Sequence, residues 1–190
     1  MLTDCDVQAF LLRGFHPLQS SLPALFHAQI CTDTHALLSS HGNPGNNILP
    51  AVPALQSVLL DPVVTDALTS LLGTGYQLQA HRHCHVPGGK DQPWHKDSLA
   101  TFRRPIRDPA PRMVMLMYYP QIVDADMGPT AIKPGTQYNT LNPCESSHCA
   151  LLLPHHALSS ISCPFFDSLL PSCFPYNLVL VCVILTRIPI

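Results

Sequence analysis

A chain of 190 residues suits a single domain, and a formal net charge of −2 leaves no basic footprint for nucleic acid. The apolar run 178–185 is far shorter than the roughly 20 residues a membrane helix needs, so no membrane span is expected. Eight Cys invite a disulfide framework, yet Asp4 and Asp6 stand where a secretory leader carries positive charge and no apolar stretch follows, so reduced thiols in an intracellular, cytoplasmic setting are expected.

In chain order, Thr3 with Asp6 three residues on resembles a capping box, Val7, Phe10 and Leu11 share one face, and Gly14 ends the first helix. Ser21, Leu22 and Pro23 open a second helix with Leu22, Leu25, Phe26 and Ile30 as its apolar stripe and Gly42 beyond its end. A Gly/Asn/Pro-rich loop follows. Asp61 then caps Pro62, and Val64, Leu68, Leu71 and Leu72 bury a third helix that stops at Gly73. These helices are expected to brace a sheet.

Polar and apolar residues alternate over 76–86, which predicts a strand with His81, His83 and His85 on one face and Arg82, Cys84 and Val86 on the other. Three readings of that histidine row stay open: ligands near a metal or its cosubstrate, a solvated polar face, or a zinc site that lacks the usual loop-separated ligand pairs. A strand over 113–119 is apolar at nearly every position and so covered on both faces. An acidic loop at 124–126, a short strand over 130–133 and a turn at Pro134 and Gly135 complete this part.

Residues 94–98 read WHKDS. If 95–97 is extended, His95 and Asp97 leave the backbone on the same face while Lys96 points the other way, so an imidazole and a carboxylate converge on one ion. That pair with open coordination positions is two thirds of the facial triad of non-haem Fe(II) oxygenases.

The stretch HRHCHVPGGKDQPWHKDS, then PRMVMLMYYPQ, then DMGPTAIKPGTQY resembles the phytanoyl-CoA dioxygenase family of Fe(II)/2-oxoglutarate oxygenases. LTDCDVQAFLLRGF is similar to that family's first helix running into its first strand, and GNPGNNILP with DPVVTDALTSLLG to its helical lead-in. The resemblance covers residues 1–141. It implies an α+β fold, a cupin-like jelly roll (double-stranded β-helix) behind N-terminal helices, with Fe(II) as cofactor and 2-oxoglutarate as cosubstrate. It further implies dioxygen and a small metabolite or lipid-like substrate hydroxylated at an aliphatic carbon. His95 and Asp97 become two iron ligands. His83, His85 and Lys96 are candidates for the cosubstrate, and Lys90, Arg103, Arg104 and Lys133 are further cations without a feature that selects among them. Oligomeric state and substrate identity are not legible.

Residues 142–190 depart from the pattern. The family carries a distal His followed about ten residues later by an Arg for 2-oxoglutarate; His155 and His156 are candidates for the third ligand, but Phe165 and Phe166 occupy the positions ten further on. From Ser146 onward Asp167 and Arg187 are the only charged residues, against 10 Lys and Arg and 12 Asp and Glu in the whole chain. The break suggests an alternative splice form or an imperfect gene model in place of the family's second half, hence an incomplete barrel. Within it the run 178–185 reads as a buried strand or an artefactual segment, and the final RIPI is not a peroxisomal SKL-type signal. Two other classes therefore stand beside the hydroxylase: a catalytically inactive relative with two ligands, and a non-enzymatic metal-binding or interaction module using the His-rich segment.

Overall fold

A computed structural model describes residues 1–80, 82, 84, 111, 113–123 and 130–137, together with the backbone of 151–152 and 177–183. Helix α1 (Asp4–Arg13) runs into strand β1 (Phe15–Gln19), and helix α2 (Ala24–His41) follows. A 3-10 turn (Gly45–Asn47) and the short helices α3 (Ile48–Ala51) and α4 (Leu55–Leu59) lead to α5 (Pro62–Leu72). Strands β2 (Met113–Tyr119), β3 (Ala131–Ile132), β4 (Leu151–Leu152) and β5 (Asn177–Val183) come after.

The caps form where the residue types demand them. Thr3 and Asp6 exchange the two bonds of a capping box at the start of α1, and Gly14 ends it at φ 82, a left-handed backbone in which a Cβ is strained. Asp61 caps α5 by accepting the Val63 amide, with Pro62 supplying a fixed φ and no amide to orphan. Helix α2 is different. It starts at Ala24, behind Pro23, without a side-chain cap. The expected opener, Ser21, instead turns its amide and hydroxyl onto Asp61 at 2.8 and 2.7 Å.

The apolar stripe of α2 is also corrected. Leu25 is 84% exposed, and His27 is buried with Ile30. Because α2 begins at Ala24, its buried line runs through 27 and 30, an i, i+3 pair, and Leu25 falls on the far side. The loop expected between the second and third helices carries the three short helical segments named above, each too short to show a period.

The sheet has β5 at its centre, antiparallel to β1 on one side and β2 on the other. The run read as a strand or an artefact thus pairs, over Asn177–Val183, with β1 and β2. Phe15 and Met115 lie level across Val181, and Leu18 and Tyr118 level across Leu178. Alternation along the strands then sorts the side chains. Leu18, Val114, Leu116 and Tyr118 pack with Phe10, Ile30, Val58, Val64, Ala67 and Leu71 into the main core. On the other face Phe15 gathers Met117, Tyr119 and Ile132. Strand β2 is therefore contacted on both faces, as its unbroken apolar sequence required. Ile132 comes from β3, which pairs antiparallel with β4 in a second, two-stranded sheet.

The strand expected over 76–86 is corrected where it is described: residues 76–80, 82 and 84 are not in a strand. Tyr76 is 37% and Leu78 58% exposed, so the alternation found no apolar surface to cover. The hydrogen bonds that a neighbouring strand would supply come instead from two asparagines. The Arg82 amide donates to Asn46 Oδ1 at 2.9 Å, and Asn43 Nδ2 donates to the Cys84 carbonyl at 2.6 Å.

Candidate functional site

The residues that carry the expected chemistry lie outside the described residues: His95 and Asp97 as metal ligands, His83, His85 and Lys96 at the cosubstrate, and His155 and His156 for the third position. Lys90, Arg103, Arg104 and the loop 124–126 lie outside as well. Of the proposed cations Lys133 is described; it is partly buried directly after β3, before the turn at Pro134 and Gly135. Among the described residues no group of three or more His, Cys, Asp or Glu could hold a metal ion. Three polar arrangements stand out among the described residues.

The first is the tie upstream of the H-x-D pair. The Arg82 guanidinium adds a bond from Nε to the Asn46 carbonyl at 3.1 Å, so Arg82 grips Asn46 through both backbone and side chain. Asn43 is itself fixed, because its Oδ1 accepts the Gly45 amide at 2.9 Å and leaves Nδ2 aimed at Cys84. Burial pushes the Cys84 thiol up, which favours the protonated form.

The second is the turn after β3. The Gly135 amide donates to the Arg13 carbonyl at 2.9 Å, and Gln137 Nε2 donates to the Leu11 carbonyl at 2.7 Å, with Leu12 at 3.4 Å. Gly14 closes onto the Phe10 carbonyl at 2.7 Å. The last four carbonyls of α1, which a helix leaves without partners of its own, are all met in this way. Gly135 has φ 74, and the Thr136 hydroxyl donates to the Lys133 carbonyl at 2.7 Å, so the turn is locked from within. Gln137 is thus a helix-capping residue.

The third is a polar pair in the main core that sequence reasoning missed. His27 of α2 is 1% exposed, and its Nδ1 lies 2.7 Å from the Tyr118 hydroxyl of β2. Their rings are 5.7 Å apart and tilted, and Phe26 meets the imidazole edge-on at 6.3 Å. Burial lowers the His27 pKa; a backbone bond with Leu22 and the Asp61 charge oppose that effect without reversing it. A neutral imidazole here links helix to sheet. Its only signal in the sequence was the spacing of His27 to Ile30, which the more apolar Leu25 masked.

Asp61, also 1% exposed, shares this interior. Desolvation raises its pKa, but bonds from the Ser20 and Ser21 hydroxyls and the Val63 and Ser21 amides outweigh it and hold the carboxylate below its ordinary value. Cys31 on α2 donates to Gln121 Oε1 at 3.2 Å, and burial pushes its thiol up. No helix among the described residues is long and apolar enough to cross a membrane. No family model, curated protein or solved structure matches this chain.

Proposed function

We propose that this chain is a member of the Fe(II)/2-oxoglutarate oxygenases of the phytanoyl-CoA dioxygenase type, built on a jelly roll braced by N-terminal helices. The observation that carries the reading is the H-x-D pair, His95 and Asp97, followed in order by an apolar strand and a Pro-Gly-Thr turn. Supporting it are helices packed on one face of a sheet whose other face receives Ile132 of β3.

The donor types fit the metal. A neutral imidazole and a carboxylate are the ligands ferrous ion accepts while keeping positions open, and His95 and Asp97 would hold it. Bound iron, with 2-oxoglutarate and dioxygen, supplies oxidation of an aliphatic C–H bond coupled to decarboxylation of the cosubstrate to succinate. The protein's own tasks are to orient 2-oxoglutarate, for which His83, His85 and Lys96 are the candidates, and to shape an apolar pocket for a small metabolite or lipid-like substrate.

A specific observation favours a second reading, an inactive relative: neither His155 nor His156 is followed ten residues on by an Arg. A third reading is a zinc or interaction module on the His-rich segment, where adjacent donors lack the loop-separated ligand pairs of structural zinc sites. Anaerobic titration with Fe(II) and 2-oxoglutarate separates them. The metal-to-ligand charge-transfer band, lost in His95→Ala and in Asp97→Ala, is expected for the oxygenase. Fe(II) binding that depends on His95 but gives no band identifies the inactive relative. Iron affinity unchanged in His95→Ala sinks both.

A further inference from the structure

We propose that α2 is an acid-released latch on the sheet, with His27 as its trigger and the seam against β2 as the part that opens. Two polar contacts line that seam. The His27 imidazole stands 2.7 Å from the Tyr118 hydroxyl, and the Cys31 sulfur, on the same helical face, stands 3.2 Å from Gln121 Oε1 just past β2. Of the 18 residues of α2, His27 and Ile30 are the buried ones, with Phe26 packed partly buried against the same core. A titratable side chain therefore carries much of what holds this helix down.

Protonation acts on the seam in two ways. A neutral ring can give or receive the bond at Nδ1, whereas an imidazolium can only give it, so the Tyr118 hydroxyl must turn its own proton elsewhere. The new charge also sits on a residue that is 1% exposed, a setting that disfavours ions. Among the described residues three groups face it: the Tyr118 hydroxyl from β2, the Leu22 backbone ahead of α2 and the Asp61 carboxylate at the cap of α5. Asp61 is the opposite charge among them, and it is engaged on both oxygens. One accepts the Ser20 hydroxyl and the Ser21 amide, the other the Ser21 hydroxyl and the Val63 amide. It cannot turn to the imidazole without releasing the cap of α5. The same bonds place the hinge. Ser20 and Ser21 stay tied to Asp61, while α2 starts behind Pro23 without a side-chain cap, so the helix pivots at 22–23 as β1 and α5 keep their places. Opening puts the charge in water and uncovers Ile30 together with the side chains of Val114, Leu116 and Tyr118.

The test is amide hydrogen exchange of the full chain between about pH 7.5 and 5.5, corrected for intrinsic rates, beside labelling of Cys31 and Cys5 by an aromatic disulfide that reacts in acid. Below the ordinary histidine value of 6.5, protection of α2 should fall by up to about tenfold per pH unit, the slope of one proton. The ratio of Cys31 to Cys5 labelling should rise by roughly the same factor. At the acid end α2 should exchange at least about tenfold faster than α5, and urea below the unfolding transition should speed α5 while barely altering α2, because a local opening exposes little surface. In His27→Gln, which keeps a hydrogen-bonding group and cannot titrate, the α2 slope should vanish. If that variant does not fold, the parent alone decides: α2 and α5 with equal protection and equal urea response exchange by global unfolding, which overturns the latch. Protection of α2 that stays level across the pH range overturns it too, as does a slope that survives in His27→Gln.

Discussion

Ser21 and Asp61 are joined twice across 40 positions, the Ser21 amide to one carboxylate oxygen at 2.8 Å and its hydroxyl to the other at 2.7 Å. With Ser20 at 2.6 Å and the Val63 amide at 3.0 Å, one buried carboxylate ends β1, turns the chain toward α2 and caps α5. Asp61→Ala removes the shared acceptor and leaves several donors orphaned, and should cost about 3 kcal/mol in urea unfolding. Asp61→Asn retains one acceptor oxygen and should fall between. Since the folded carboxylate titrates below its ordinary value of 3.8, its contribution is complete above that pH and is lost as pH falls through the lowered value.

His27 predicts a second pH dependence of the same sign at a higher pH. Its folded pKa lies below the ordinary 6.5, so the unfolded chain takes up a proton first as the solution is acidified. Stability should be flat in this respect above 6.5 and fall from there down to the lowered folded value. His16, lowered by burial against opposing attraction from Asp6, adds in the same direction. Thermal midpoints between pH 5 and 8 should show a shallower slope in His27→Gln than in the parent; an unchanged slope would mean that His27 is not the group. Tyr118→Phe, which removes the hydroxyl 2.7 Å from Nδ1, should cost about 1 kcal/mol at neutral pH.

The C-terminus of α1 offers a double-mutant cycle. A Cβ at Gly14 would meet Gln137 Oε1 at 2.5 Å, on a backbone already at φ 82. Gly14→Ala should therefore destabilise by about 2 kcal/mol or more, combining the left-handed strain with the clash. Gln137→Ala should cost about 1 kcal/mol through the lost cap on Leu11. Combined, the two should cost less than their sum, because the second removes the obstacle to the first. Additive losses would show that the turn does not press on Gly14.

Thiol accessibility gives a chemical check of the packing. Cys5 is exposed, whereas Cys31 lies partly buried with its sulfur on Gln121 and its thiol pushed up. Alkylation at neutral pH, mapped by peptide mass, should modify Cys5 well before Cys31. Gln121→Ala should speed Cys31 modification, and equal rates in the parent would contradict the contact between α2 and the end of β2.

Much of the helical frame was legible because its signals are local. Thr3 with Asp6, Gly14, Asp61 with Pro62 and Gly73 are punctuation that acts within one turn, and each stands at the helix boundary expected of it. Met113–Tyr119 was legible because a continuous apolar run has few alternatives to a covered strand. The alternation after Tyr76 misled because period 2 states which faces differ, and not whether a partner strand exists. Of the candidate site the sequence supplied donor types and spacing, His95 and Asp97, while the geometry of those two belongs to residues outside the described ones.

The amino-acid sequence by itself determined where helices begin and end and which strand must be covered, since caps, prolines and apolar periodicity act over a few residues. Only the tertiary structure decided that Ser21 serves Asp61 rather than α2, that His27 displaces Leu25 from the core, that Gln137 caps α1 and that β5 lies between β1 and β2. Each of those pairs groups 40 or more positions apart or turns on how a whole helix is rotated against the sheet, and no local rule reaches that far.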